Sequence, residues 1–162
     1  TGEVPFIRTS DIVNWELKID PIKGVSEEAY QIFADSMDVK PGDILFVSDG
    51  TFLIGRTAII TPNESKILIQ SHIKKIRVNP SCPFDYYYLM FLLNTSIVQD
   101  QIIAKTFIQA TISTIGDRLM ELVLPISKDK AEIESRSKKV KSIITGKSKI
   151  RDLTRSVLES RY

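Results

Sequence analysis

Short apolar, β-rich runs separated by turn residues recur over the first half of the chain, and this pattern is typical of strands. Apolar runs bounded by Gly, Pro, Asn or Asp predict strands at 4–8, 44–47, 52–60 and 66–70, with the pattern continuing over 73–78. Pro41-Gly42 predicts a turn before the second run. Asp49-Gly50 separates the second and third runs and is typical of a tight hairpin. We therefore expect an antiparallel meander here.

Other segments carry the signals of helices. Ser26 followed by Glu27 and Glu28 supplies a capping hydroxyl and two carboxylates at the positive end of the helix dipole, so a helix is predicted to run to about Ser36. Residues 85–105 change to helical spacing and are predicted to form one helix face or a helix pair. Their apolar positions are Tyr88, Phe91, Leu92, Val98, Ile102 and Ile103.

Shorter signals complete this part of the chain. Ser10 or Asp11 is predicted to cap a helical turn that runs toward Trp15. Residues 110–115 alternate again, as in a strand. Because strands and helices are grouped rather than strictly alternating, the fold class is predicted to be α+β, with a twisted antiparallel, barrel-like sheet and flanking helices over residues 1–127.

The segment 128–162 is charged and helical, and we expect it to form a separate connecting helix. In a heptad frame its a and d positions include Ile133, Val140, Ile143, Ile150 and Val157. Arg136, Lys147 and Thr154 interrupt that frame. Two interpretations stay open: the apolar stripe meets a partner helix, or the helix folds back on the chain's own core.

Size and composition limit the class of protein. A chain of 162 residues with 43% apolar content can bury one sizeable core and suits a single domain. There is no apolar run of about 18 residues and no charged-then-apolar leader, so we expect neither membrane insertion nor secretion. The single cysteine, Cys82, favours a reduced, cytoplasmic compartment. The start without Met is typical of a segment excised from a longer chain.

Charge is segregated along the chain. Residues 1–127 contain 11 Lys and Arg and 15 Asp and Glu, a net of −4, whereas residues 128–162 contain 11 and 5, a net of +6. DNA-binding surfaces concentrate Lys and Arg because neutralising phosphates releases counterions. The acidic balance of the first part counts against such a surface, and the local cluster Lys74, Lys75 and Arg77 counts for it.

Residues for catalysis are sparse. His72 and Cys82 are the single histidine and the single cysteine, which is too few for a His/Cys metal cluster or a two-imidazole proton relay. The sequence Asn79-Pro80-Ser81-Cys82 resembles a methyltransferase NPPY loop without the second proline and the aromatic residue, and is interpreted as a turn. A nuclease-like trio of Asp43, Asp49 and Glu64 lacks a lysine partner near a strand. We therefore expect a protein that is not an enzyme and binds no metal.

Polar residues suited to reading DNA occur in clusters. Arg pairs with guanine, Asn and Gln pair with adenine, and Ser and Thr contact bases or backbone. The candidates for base or phosphate contacts are Arg8, Thr9, Ser10, Ser48, Asp49, Thr51, Arg56, Gln70, Ser71, His72, Gln109, Thr111 and Ser113, with Lys74, Lys75 and Lys105 on phosphates. Gln109, Thr111 and Ser113 are two residues apart and are predicted to share one face of an alternating segment.

Structural roles compete with each of these assignments. Arg56 has Asp43 or Asp49 as an alternative partner across the predicted hairpin. Gln70 and His72 are also suited to satisfying buried backbone groups, and Gln109 and Thr111 to the solvent face of a strand. Trp15 and the run Tyr86-Tyr87-Tyr88 are predicted to pack in the core rather than stack on bases.

Six blocks in order span nearly the whole chain: GEVPFIRTSD (2–11), GDILFVSDGTFLIGRTAII (42–60), IQSHIKKIRV (69–78), YYYLMFLLNT (86–95), FIQATISTIG (107–116) and ELVLPI (121–126). Together they resemble the target-recognition domain of the specificity subunit of type I restriction-modification systems, or the equivalent domain of a fused adenine-N6 methyltransferase. The resemblance implies sequence-specific binding to one half of a bipartite duplex DNA target, without an active site.

The family also implies partners. A modification subunit would bind S-adenosylmethionine and flip the adenine, so this chain would hold no cofactor. A second recognition half would come from another domain or from a second copy, and the segment 128–162 resembles half of the paired connecting helices. Specificity subunits normally carry two recognition domains, and one is present here. A half-subunit, an excised domain and the end of a fused enzyme therefore stay open.

Two rival interpretations from other classes stay open as well. In one, the chain is a protein-interaction module that docks a methyltransferase through its C-terminal helix and never reads DNA. In the other, it is a small hydrolase, which would need a pocket of converging carboxylates.

Overall fold

The computed structural model describes residues 2–19, 23–50, 52–109 and 112–159. The strands are β1 Val4–Ile7, β2 Ile12–Val13, β3 Glu16–Leu17, β4 Gly24–Val25, β5 Ile44–Val47, β6 Asp49–Gly50, β7 Thr57–Ile59, β8 Leu68–Ile69, β9 Ile73–Ile76, β10 Phe107–Gln109 and β11 Ile112–Thr114. The helices are α1 Glu27–Met37, α2 Tyr86–Leu93, α3 Ser96–Lys105 and α4 Lys130–Glu159. Short 3-10 turns cover Thr9–Asp11, Pro62–Glu64 and Gly116–Glu121.

Within the described ranges the strands form four small sheets, and their combination with the helices confirms the α+β class. Their orders are β7-β5-β9, β4-β1-β8, β10-β11-β6 and β2-β3. Two features depart from the expected barrel-like meander: none of the described sheets closes into a barrel, and β1 pairs with β8 in parallel. The parallel pair forms because both edges of β5 are already paired, one with β7 and the other with β9. β8, which lies between β7 and β9 in the sequence, pairs with the N-terminal strand β1 instead.

Strand β5 divides the hydrophobic core into two layers. All four of its residues are buried, and because neighbours on a strand point to opposite faces, Ile44 and Phe46 enter one cluster while Leu45 and Val47 enter the other. The first cluster contains side chains of α2, α3 and α4, and Tyr88 is fully buried beside it. The second contains residues of β1, β2 and β3. The predicted core role of the tyrosine run is therefore confirmed at Tyr88.

Local signals for α1 and for the helix pair are confirmed. Ser26 Oγ accepts a hydrogen bond from the backbone N–H of Ala29 at 3.2 Å, and α1 begins at the next residue. The region 85–105 is a pair of helices, with Asp85 capping α2. Pro41-Gly42 is a turn, and Gly42 has a φ of +90°. A Cβ added to Gly42 would lie 2.9 Å from the ring of Tyr86.

The predicted hairpin turn at Asp49-Gly50 is wrong. These two residues form β6 and pair with β11, and the connection from β5 to β7 is the longer loop 48–56. A D-G pair favours a tight turn only where no other strand competes for its backbone groups. Here β11, which also pairs with β10, is that competing strand.

The helical turn expected to run toward Trp15 is also shorter than predicted. It ends at Asp11, because Val13 pairs with Glu16 and Asn14 and Trp15 form the tight turn between β2 and β3. Both turn residues have positive φ values, 53° and 71°, as in a type I′ turn. A hydrogen bond of 3.1 Å from Trp15 Nε1 to Asn94 Oδ1 holds the ring. Trp15 packs against the first core cluster, as predicted.

Helix α4 packs along α2 rather than standing apart from the body. Val140 and Ile144 are buried in the first core cluster, and the hydroxyl of Ser137 bonds to Asp85. The first half of α4 therefore follows the fold-back interpretation. None of the helices in the described part of the chain has the length and apolarity needed to span a bilayer.

Candidate nucleic-acid interface

Two strands end side by side and carry two of the predicted polar clusters. β1 and β8 pair through Phe6 with Leu68 and Ile7 with Ile69, so Arg8-Thr9-Ser10 and Gln70-Ser71-His72 leave the sheet together. The backbone N–H of Gln70 donates to the carbonyl of Ile7 at 2.9 Å, and Gln70 Oε1 accepts from the backbone N–H of Thr9 at 3.4 Å. The parallel pairing therefore joins segments that are 61 residues apart.

A third segment, Ser48-Asp49, adjoins the second. The backbone N–H of Ser48 donates to the carbonyl of His72 at 2.9 Å, and Ser48 Oγ lies 2.5 Å from Asp49 Oδ2. Nδ1 of His72 lies 3.7 Å from the same carboxylate oxygen. Ser113 on β11 pairs with Gly50 and extends the set by one strand. We call this set the polar edge: Arg8, Thr9, Ser10, Ser48, Asp49, Gln70, Ser71, His72 and Ser113.

Members of the polar edge differ in accessibility. Arg8, Ser10 and Ser71 are exposed, and the side chain of His72 is 40% exposed. Ser48 is fully buried, so its hydroxyl does not face solvent and instead holds the carboxylate of Asp49 in place. Gln70 is half-buried, and its side-chain oxygen accepts a hydrogen bond from the backbone, as the structural alternative for this residue predicted. Its NH₂ group has no hydrogen-bond partner in the described ranges.

Asp49 is held in its ionised form. Partial burial would raise the pKa of this carboxyl, but hydrogen bonds from Ser48 and Thr114 outweigh burial and lower it, with smaller contributions from His72 and Lys74. The polar edge therefore presents one fixed negative charge among several donors.

Three cations near the polar edge are accessible. Arg8, Arg56 and Lys74 are exposed, and none of them makes an ion pair within the described ranges. The carbonyl of Arg56 accepts from the backbone N–H of Val47 at 2.9 Å, which places Arg56 next to Ser48. The alternative partner Asp43 is instead bound by Arg77, at 2.6 Å from its Nε.

Two lysines predicted on phosphates are already engaged. Nζ of Lys75 donates to the carbonyls of Met37 and Asp38, the latter at 2.8 Å, and so caps the C-terminus of α1. Nζ of Lys105 lies 3.0 Å from Glu121 Oε2. Neither ammonium is free to bind DNA without breaking an internal contact.

The predicted shared face of Gln109 and Ser113 is wrong. Gln109 lies on β10 and pairs with Ile112, whereas Ser113 lies on β11 and pairs with Ile108. The two strands pair antiparallel, so Gln109 and Ser113 do not belong to one strand. Thr51 and Thr111 lie outside the described residues, as does the side chain of Gln109.

The predicted partner stripe on α4 is divided between two faces. Val140 is buried against the body and Ile133 is half-buried, whereas Ile143, Ile150 and Val157 are 43%, 66% and 56% exposed. The face of α4 that packs against the body carries Ile144 and not Ile143, because at 3.6 residues per turn Ile144 lies on the same side of the helix as Val140. The two basic residues that interrupt the heptad make intramolecular contacts: Arg136 lies 5.0 Å from the centre of the Phe91 ring, and Lys147 Nζ lies 3.1 Å from Glu16 Oε2.

A charged cluster that the sequence did not reveal fastens the second half of α4. Arg151 Nε lies 3.2 Å from Glu16 Oε1, and its Nη1 contacts the buried Glu64. Glu64 also accepts from the hydroxyl of Thr61 at 2.6 Å. The sequence signal for this cluster is the pair of basic residues Lys147 and Arg151, which are spaced i, i+4 on the helix. The sequence around them does not indicate that Glu16 and Glu64 are their partners. Above the cluster is a cleft of about 530 Å³, lined by Leu17, Ile19, Ile150, Arg155 and Leu158 among others.

The three carboxylates of the nuclease-like trio do not converge on one site. Asp43 and Asp49 lie at opposite ends of β5, and Glu64 bonds to Arg151. In the described ranges, no group of three or more His, Cys, Asp or Glu residues is arranged to hold a metal ion. No protein-family model matches the sequence, and no curated protein matches it. The functional assignment therefore rests on the chain's own contacts.

Proposed function

We propose that this protein is a sequence-specific DNA-binding module, the target-recognition part of an adenine-N6 restriction-modification system, and that it reads one half of a bipartite duplex site. The observation that supports the proposal is the polar edge. Three segments distant in sequence bring an arginine, an amide, an imidazole and exposed hydroxyls to one border of the sheets. These are the groups that discriminate base edges in the major groove.

Roles follow from accessibility. Arg8 is the residue suited to a guanine, and the free NH₂ group of Gln70 is suited to donating to an adenine N7 or another acceptor. Ser10 and Ser71 contact backbone or base atoms. Arg56 and Lys74, which are exposed on either side of Ser48 and His72, bind phosphates.

In this proposal the chain catalyses no reaction and holds no cofactor of its own. A modification subunit binds S-adenosylmethionine and performs the base flipping. The second half of the DNA site is read by another recognition domain or by a second copy. The complex acts in the cytoplasm and away from membranes.

The test is selection from a randomised duplex pool at low salt, with α4 intact and the methyltransferase partner added where one is encoded nearby. We expect enrichment of a half-site of roughly three to five base pairs, the scale of a module that reads a few successive base edges. Gln70→Ala should lower discrimination at one position by about 1–3 kcal/mol, whereas Lys74→Gln should weaken all sequences alike and lower the salt slope by about 1.

Lys66→Gln is the control for Lys74→Gln, because it removes the same charge at a residue that is not a predicted DNA contact. Nζ of Lys66 lies 2.7 Å from Glu27 Oε2. Unselective binding by the wild type, together with unchanged binding by the Gln70 and Lys74 variants, would overturn the proposal.

A second candidate function is supported by the outward face of α4. Ile143, Ile150 and Leu153 are exposed at helical spacing, and exposed apolar stripes mark protein-interaction sites. In this candidate the chain docks a methyltransferase through α4 without reading DNA. It predicts that Ile150→Asp abolishes retention of the methyltransferase, while alanine at Arg8, Arg56, Gln70 and Gln109 leaves it unchanged. Sequence-selective DNA binding that depends on Gln70 would rule it out.

A further inference from the structure

Helix α4 carries a row of lysines that is separate from its buried and apolar faces. Lys138, Lys141 and Lys149 are exposed, and with Ser142 and Thr145 they border one shallow surface depression. At 100° per residue the three lysines fall within about 80° of one another around the helix axis. We call them the lysine row.

Among the residues that the structure describes, none of the three lysines of the row forms an ion pair. The cations of α4 that form ion pairs in the described ranges are Arg136, Lys147 and Arg151, and none of them belongs to the row. Glu134, which borders a cleft with Lys138 and Lys141, and Asp152, which follows Lys149, limit the length of the row, and neither carboxylate forms an ion pair with it in the described ranges. The positive charge of this segment, +6 against −4 for residues 1–127, is therefore partly displayed on one helix face.

The chemistry of this face suits a polyanion backbone better than a protein surface. Between the lysines stand hydroxyls and Gly146, and neither aromatic nor large aliphatic side chains border the depression. Protein interfaces place apolar side chains at their centre, whereas DNA backbones are bound by Lys, Ser and Thr. From Lys138 to Lys149 the helix rises about 16 Å, which matches roughly five base pairs along one strand.

We propose that the lysine row is a second DNA contact that binds phosphates of duplex DNA regardless of sequence. The inference rests on the proposed function in that the same duplex is read at the polar edge. By counterion release the row adds affinity to that of the phosphate contacts of Arg56 and Lys74, while the polar edge supplies selectivity.

The experiment measures binding of the full chain to a scrambled duplex by fluorescence anisotropy, over about 50 to 200 mM salt. In the test variant, Lys138, Lys141 and Lys149 are all changed to Gln. Three lost phosphate contacts should lower the slope of log affinity against log salt by about 2.7. The loss of affinity should be the same for a selected half-site and for the scrambled duplex.

A charge-matched control changes Lys40, Lys66 and Lys139 to Gln. Lys40 and Lys66 are paired with Asp38 and Glu27, and Lys139 lies on the neighbouring apolar face of α4. All six substitutions are on exposed side chains, and circular dichroism verifies that both variants fold. The control should change the slope by less than about 1.

Each outcome separates the two proposals. A slope lowered in the test variant and kept in the control supports the lysine row, even if the wild type selects no sequence, in which case the proposed function fails alone. An unchanged slope in the test variant overturns the lysine row, and a half-site still selected by the wild type keeps the proposed function. Equal losses in both variants also overturn the lysine row, because only total charge then matters. No binding to any duplex overturns both.

Discussion

Replacing Arg151 by Met tests whether the charged cluster fixes the second half of α4. Met keeps most of the aliphatic stem and removes the guanidinium. The variant loses the 3.2 Å contact to Glu16, the contact to Glu64 and a 3.3 Å hydrogen bond to the carbonyl of Leu17.

The magnitude is set by burial. The side chain of Glu64 is 9% exposed and that of Arg151 is 29% exposed, so the hydrogen bond to Glu64 is worth about 1.5–3 kcal/mol, as for charged partners. The contact to Glu16 is more accessible, with 22% exposure, and adds about 0.2–1 kcal/mol. Water that reaches Glu64 through the adjoining cleft offsets part of the loss. We expect a destabilisation of about 2–3 kcal/mol, which in a chain of this size lowers Tm by roughly 4–12 °C.

Urea denaturation followed by circular dichroism measures the effect, and Arg155→Met is the control. Arg155 lines the same cleft without an ion pair in the described part of the chain, so its replacement should change stability by about 0.5 kcal/mol or less. Glu64→Gln completes a double-mutant cycle with Arg151→Met, with an expected coupling of about 1–2 kcal/mol.

If Arg151→Met costs no more than Arg155→Met, the charged cluster does not fix the second half of α4. If the two members of the cycle are additive within about 0.3 kcal/mol, the guanidinium does not act on Glu64.

Three further predictions concern stability. Val140→Ala should lower the free energy of unfolding by about 2 kcal/mol, because it removes buried apolar volume. Ile143→Ala, on the exposed face, should lower it by about 0.5 kcal/mol or less. Equal losses in urea denaturation would contradict the orientation of α4. Asp38→Asn should remove a pH dependence, because hydrogen bonds from neighbouring cations lower the pKa of this carboxyl from 3.8 to about 2. A carboxyl with a depressed folded-state pKa stabilises the fold above its unfolded pKa. The advantage of wild type over variant should therefore be complete above about pH 5 and should be lost progressively as the pH falls to about 1; a difference that persists at the lower pH would contradict it. Gly42→Ala should cost about 1–3 kcal/mol, since the positive φ and the 2.9 Å approach to Tyr86 both oppose a Cβ; a neutral thermal melt would show that the turn relaxes.

Sequence signals that act over a few residues predicted their elements well. The Ser26 cap, the Pro41-Gly42 turn and the change of period at residue 85 depend on side chains within one turn of the backbone they organise. The grouping of strands and helices likewise indicated the α+β class. The same local logic failed at Asp49-Gly50, where a strand more than 60 residues away takes the backbone that a turn would have used.

Local patterns in the sequence identified most of the strands and helices and the charged segment, but not the strand at Asp49-Gly50. Which of these elements meet depends on the folded chain. Thr9 and Gln70 come together only through a parallel strand pair, and Glu16 meets Lys147 across 131 residues. It also decided that Lys75 caps a helix while Lys74 is exposed, although the two are neighbours in the chain. The physical reason is that local propensity is fixed by neighbours along the chain, whereas pairing, burial and the direction of a helix face depend on packing partners that no local pattern identifies.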